Sequence, residues 1–102
     1  MSGIGTSIRA LASRLTGGGS GCSHLDHARN VEPRTDGCGE CLASGMRWVH
    51  LRLCLSCGHV GCCNDSEGQH ARAHFEDTGH PIMRSHEPGE IWSWCWVDEV
   101  EV

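Results

Sequence analysis

Cysteine and histidine dominate the chemistry that this sequence can carry. The 102-residue chain contains 8 of each. Two Cys-x-x-Cys pairs stand out, Cys38 with Cys41 and Cys54 with Cys57. Two residues with this spacing on a tight turn can both reach one ion, and zinc takes four such soft or borderline ligands in a tetrahedron. A single pair would also suit redox chemistry, but two neighbouring pairs indicate zinc.

Further candidate ligands follow the two pairs. His70 and His74 are one helical turn apart, so a helix places both on one face. The candidates are Cys38, Cys41, Cys54, Cys57, Cys62, His70, His74 and His80. These eight residues fill two closed tetrahedral sites, which are structural, because catalytic zinc keeps a position open for water. Spacing alone leaves the grouping open: the sites can be sequential along the chain or interleaved.

The alternative role for the cysteines is a disulfide framework, as in small secreted domains. Residues 1–20 lack the continuous apolar segment of a signal peptide, and no run is apolar enough for a transmembrane helix. We therefore expect a cytoplasmic protein with no membrane partner. The formal net charge is −5, and the 8 basic residues, all arginine, are scattered. That distribution predicts no nucleic-acid partner, because phosphate binding needs a basic patch.

Residues 1–21 differ from the rest of the chain. Ile8, Leu11 and Leu15 have helical spacing, but the run of glycine and serine at 17–21 is typical of a linker. We interpret this segment as a flexible N-terminal tail and linker, with a short helix or a targeting peptide as alternatives. The folded domain is predicted to span residues 22–102.

Periodicity predicts three elements within that domain. Residues 48–53 alternate as a strand with one apolar face, and residues 66–76 suit a helix with an N-cap at 64–66 and Gly79 after its end. Residues 91–97 alternate again. One face of that segment carries Trp92, Trp94 and Trp96.

The ordered pattern resembles the UBP-type zinc finger, a ubiquitin-binding module of some deubiquitinating enzymes and of a histone deacetylase, and also its short stand-alone bacterial versions. The resemblance covers about residues 22–98. It rests on the two Cys pairs, Trp48-Val49, Cys62, His70-x-x-x-His74, Gly79-His80-Pro81 and Trp94-Cys95-Trp96. It implies a small zinc-stabilised domain of the α+β or α/β class, with a short twisted β-sheet, one main helix and interleaved zinc sites.

The resemblance also implies a grouping of the ligands. One zinc would take Cys38, Cys41, Cys62 and His80, and a second would take Cys54, Cys57, His70 and His74. Family members with three zinc ions have a further site, which here would consist of Cys22, His24, Cys95 and Asp98. Asp98 stands where the family has a cysteine, and a carboxylate oxygen is an acceptable, though harder, zinc ligand.

The function implied by the resemblance is that of a non-catalytic interaction module. In relatives an arginine and aromatic residues grip the C-terminal Gly-Gly of ubiquitin; Trp94 and Trp96 match the aromatics, but Asn64 replaces the arginine. Without that guanidinium we do not expect ubiquitin binding in this mode. We expect a protein or peptide partner, bound through its C-terminus. The alternatives are a thiol-redox or metal-dependent enzyme, with Cys63 as the cysteine outside the three sites, and a nucleic-acid-binding zinc finger.

Overall fold

The computed structural model describes residues 22–102, so the tail and linker predicted for residues 1–21 lie outside the described residues. No helix in the described range is long and apolar enough to cross a membrane. In chain order the elements are a 3-10 turn (Leu25–His27), helix α1 (Gly39–Ser44), strands β1 (Leu51–Cys54) and β2 (Val60–Cys62), helix α2 (His70–Thr78), and strands β3 (Ile82–Ser85), β4 (Ser93–Cys95) and β5 (Val100–Glu101). The predicted class, a short sheet with one main helix, is confirmed.

One five-stranded antiparallel sheet organises the domain, with strand order β2-β1-β3-β4-β5. Alternation along β1 places Leu51 and Leu53 in the core, where they pack with Val60 and with cysteines of α1 and β2. Arg52 points to the opposite face. Val49, predicted to share the apolar face, is 54% exposed because the strand begins only at Leu51.

Helix α2 lies against β2 at a position that requires a glycine. A Cβ built on Gly61 would lie 2.6 Å from the backbone nitrogen of Ala71, closer than real Cβ atoms come to other groups. The absence of a side chain therefore lets the first turn of α2 touch the strand. This contact fixes where the two histidines of the helix point.

The start of α2 differs from the prediction. The helix begins at His70 rather than near Ser66, and its first N–H is capped by a thiol: the His70 N–H donates to Cys62 Sγ at 3.2 Å. Ser66 is instead buried, and its hydroxyl accepts the Val49 N–H at 2.8 Å. The predicted end is confirmed, because Gly79 is left-handed at φ 77° and its N–H donates to the Phe75 carbonyl.

Candidate metal centres

The first cluster lies where α1, β2 and the start of α2 meet. It consists of Cys38, Cys41, Cys62 and His70, whose donor atoms all lie within 4.8 Å of one another. The Cys41 and Cys62 sulfurs are 3.8 Å apart, and His70 Nδ1 lies 3.3–3.4 Å from all three sulfurs. Zinc–sulfur bonds of about 2.3 Å in a tetrahedron place two sulfurs about 3.8 Å apart, so this donor set fits one zinc ion.

The second cluster lies at the turn after β1 and at the far end of α2. It consists of Cys54, Cys57, His74 and His80. His74 Nε2 lies 3.4 Å from Cys57 Sγ and 3.3 Å from His80 Nδ1, which lies 3.5 Å from Cys54 Sγ. The Cys54–Cys57 turn closes with Gly58 at φ 86°, a left-handed conformation that glycine adopts without strain. This set also fits a tetrahedral zinc.

The terminal cluster joins the two ends of the described chain. It consists of Cys22, His24, Cys95 and Asp98. His24 Nδ1 lies 3.4 Å from each of the two sulfurs and 3.1 Å from Asp98 Oδ2. The Asp98 carboxylate is therefore the fourth donor of this set, as the resemblance implied, and its side chain is 34% exposed.

The first and second clusters, which we call the interior clusters, are interleaved along the chain. The grouping that the resemblance implied was wrong for two histidines. His70 belongs with Cys38, Cys41 and Cys62, and His80 belongs with Cys54, Cys57 and His74. The reason is geometric: residues one turn apart are separated by about 6 Å along the helix axis, far enough for α2 to supply one ligand to each of two neighbouring ions. Because α2 begins at His70, that residue stays beside Cys62.

The electrostatics of the clusters suit a cation. Burial and the neighbouring thiols of Cys38 and Cys62 raise the pKa of Cys41 to about 12, because a second negative sulfur would be repelled. Burial, with the nearby rings of His59 and His80, lowers the pKa of His74 to about 4. The neutral imidazole can offer a lone pair at neutral pH, while a bound cation would stabilise the thiolates.

The structure adds one residue that the sequence did not single out. The ring of His59 stacks on that of His74 with centroids 4.0 Å apart, and its Nε2 lies 2.7 Å from Glu40 Oε2. Glu40 sits within the Cys38–Cys41 turn, so His59 connects the surroundings of the first and second clusters. Its only sequence signal is that it lies two residues after the second Cys pair, and that signal is weak.

Of the three residues predicted for the ligand pocket, the structure brings together the two tryptophans but not Asn64. Trp94 and Trp96 lie on the same face of the β4 segment and are both half-buried, and Trp96 stacks on Phe75 of α2 at 5.7 Å between ring centroids. Asn64 is an exposed loop residue after β2, where its carbonyl accepts a hydrogen bond from Gln69 Nε2. The Asn64 position therefore places no cation beside the tryptophans.

The sheet, α2 and the three Cys/His clusters define a small zinc finger. Residues 38–102 match the family described as a Zn-finger in ubiquitin-hydrolases and other protein, and the chain belongs to this family. Ubiquitin carboxyl-terminal hydrolase 44 of Xenopus tropicalis is 30% identical over 82 residues, which are 74% of this chain and 12% of that protein. NAD-dependent deacetylase sir2A of Dictyostelium discoideum is 35% identical over 65 residues, 64% of this chain and 11% of that protein.

A solved structure resembles the whole zinc finger. The solution NMR structure of protein RPA1320 from Rhodopseudomonas palustris is 55% identical, with a TM-score of 0.74 over 80% of each chain. By contrast, the chain spans only about a tenth of the length of the curated hydrolase and deacetylase.

Proposed function

We propose that this chain is a non-catalytic interaction module that holds three zinc ions and binds the C-terminal segment of a protein or peptide. The observation that carries the proposal is a row of three half-buried tryptophans that alternate through β4 and its two flanking residues, with Cys95 of the terminal cluster among them. We call this row the tryptophan ridge; it consists of Trp92, Trp94 and Trp96.

The donor sets support a structural role for the metal. Each cluster offers four protein ligands, which fill a tetrahedron and leave no position for a reacting water. Cys63 is the one cysteine outside the three clusters, and it is 5% exposed with its sulfur 3.5 Å from the Ser66 hydroxyl. A thiol nucleophile needs access to its substrate and a base, so Cys63 does not favour the thiol-redox alternative.

The ridge supports binding of an extended segment. Trp94 pairs with Met83 on one neighbouring strand and with Glu101 on the other, and its side chain is partly exposed. Half-exposed tryptophans offer a large contact area at a small cost in side-chain entropy. The name of the Xenopus relative includes ubiquitin, but Asn64 lacks the positive charge that the ubiquitin mode needs, so we propose a different C-terminus as the ligand.

Two immobilised octapeptide libraries test the proposal, one with free C-terminal carboxyl groups and one with amidated ends. The zinc-loaded protein should be retained by the free-terminus library and select one sequence from it, and Trp94→Ala should abolish that retention. Ile91→Ala is the matched control, because Ile91 precedes the ridge and is 89% exposed. Equal retention by both libraries, or by neither, would remove the proposed capture of a chain end.

A further inference from the structure

Arg52 is a nearly buried cation that uses only part of its hydrogen-bonding capacity. Its side chain is 13% exposed, and Nη1 donates to the Leu51 carbonyl at 3.1 Å and to the Ser85 hydroxyl at 3.3 Å. Within residues 22–102, Nε and Nη2 have no acceptor at hydrogen-bond distance. Buried charges are normally paired and fully hydrogen-bonded, so these two donors remain available to a ligand.

The neighbouring carboxylates do not complete this pairing. Glu90 Oε1 stays 4.0 Å from Nη1 and instead accepts the Ser85 hydroxyl at 2.5 Å. Glu87 Oε2 accepts the Leu51 N–H at 2.8 Å. Arg52 therefore has negative charge nearby but no two-pronged carboxylate contact, which is the geometry that its planar fork fits best.

The position of Arg52 relates it to the tryptophan ridge. Its Cζ lies 4.5 Å from the centre of the Trp92 ring, so the guanidinium lies over the first member of the ridge. Arg52 also lines, with Ala71 and Trp96, the narrow cleft between α2 and the sheet. Arg52 therefore contacts the first member of the ridge and shares a cleft with the last.

We propose that Arg52 binds the carboxylate at the end of the captured segment through Nε and Nη2, while Trp92 holds the guanidinium plane in place. This inference rests on the proposed function. Arg52 on β1 supplies the positive charge that Asn64, in the loop after β2, does not provide. Glu90 acts as a weak internal competitor for the same cation, since it lies near Arg52 without forming a direct hydrogen bond to it.

The octapeptide selected by the free-terminus library is the probe, in three forms: free carboxyl, amidated, and amidated with glutamate as the last residue. Arg52→Gln should weaken the free form at least about tenfold, the range lost with a charge-assisted hydrogen bond. It should also abolish the preference for the free form over the amidated one. Glu90→Gln should strengthen binding of the free form about twofold to fivefold, because it removes a competing charge. Calorimetry on zinc-loaded proteins measures both effects.

The controls separate this inference from the proposed function. Arg84→Gln removes an exposed arginine on the opposite face of the same sheet and should change nothing. If Arg52→Gln fails to fold, Arg52→Lys replaces it, since lysine keeps the charge but not the fork. An undiminished free-end preference in the Arg52 variant, or equal binding of the glutamate form, overturns the role of Arg52 while Trp94→Ala still defines the ridge as the site. If no peptide is selected, both the role of Arg52 and the proposed function are wrong.

Discussion

The interior clusters and the terminal cluster differ in their donors and in how they meet the backbone. The interior clusters are built only from sulfur and nitrogen, whereas the terminal cluster has one exposed carboxylate oxygen. Interior thiols also accept hydrogen bonds from the starts of both helices: Cys38 Sγ from the Cys41 N–H and Cys62 Sγ from the His70 N–H. In the terminal cluster such bonds stay within each short ligand pair. The first cluster is therefore tied directly to the secondary structure, whereas the terminal cluster joins the two ends of the described chain.

The largest effect should follow from removing an interior ligand. Cys62→Ser replaces the thiolate, which is both a candidate zinc ligand and the acceptor at the start of α2, by a hydroxyl that binds zinc weakly. Structural zinc contributes on the order of 10 kcal/mol, comparable with the whole stability of a small domain. The variant should therefore lose its cooperative thermal unfolding transition, as measured by circular dichroism.

The adjacent Cys63 gives a matched control, because it is buried but lies outside the clusters. Cys63→Ser should unfold cooperatively and keep its zinc. A Cys62→Ser protein with a normal melting transition would show that the interior sites are not needed for the fold.

The terminal cluster should respond more mildly. Asp98→Ala should lower the zinc count by one in native mass spectrometry but leave the rest of the domain folded. The ligands His24 and Asp98 are 74 positions apart in the chain. A covalent cross-link closing a loop of this length would stabilise a protein by about 4 kcal/mol, which is an upper guide to the loss.

Asp98→Cys is the complementary variant, because thiolate is the softer ligand. It should hold the third ion at chelator concentrations that remove it from the unmodified protein. Asp77→Ala, an exposed acidic change on α2, is the neutral control. An equal number of zinc ions in the unmodified protein and in Asp98→Ala would mean that the terminal cluster is not a zinc site.

The sequence was sufficient to predict the fold class. It identified the residues that form the clusters, but it did not show which residues share a cluster. Spacing identifies the Cys pairs because a short turn is a local property. It could not assign His70 and His80, since that depends on α2 starting at His70, which the Gly61–Ala71 contact and the Cys62 thiol decide. The tertiary contacts of Arg52 were equally hidden: alternation shows which way it points, but its stacking on Trp92 depends on the pairing of β1, β3 and β4.

The smallest expected effect concerns His59, which lies beside the interior clusters but is not one of their candidate ligands. His59 contacts a candidate ligand of the second cluster through its stacked ring and reaches Glu40 by a 2.7 Å contact, but it is not a member of either interior cluster. His59→Ala should leave the domain folded and weaken zinc binding at the second cluster about tenfold to a hundredfold, the usual cost of losing an outer-shell partner. Chelator titration monitored by native mass spectrometry measures that loss.

His27→Ala provides the comparison, because His27 is an exposed histidine that belongs to none of the three clusters. Its zinc release should match that of the unmodified protein. If His59→Ala releases zinc at the same chelator concentration as His27→Ala, the stacked ring contributes nothing to the metal site. The interior would then depend on its ligands and thiol caps alone. An earlier release in His59→Ala only would mean that the second cluster depends on the stacked His59 ring as well as on its four candidate ligands.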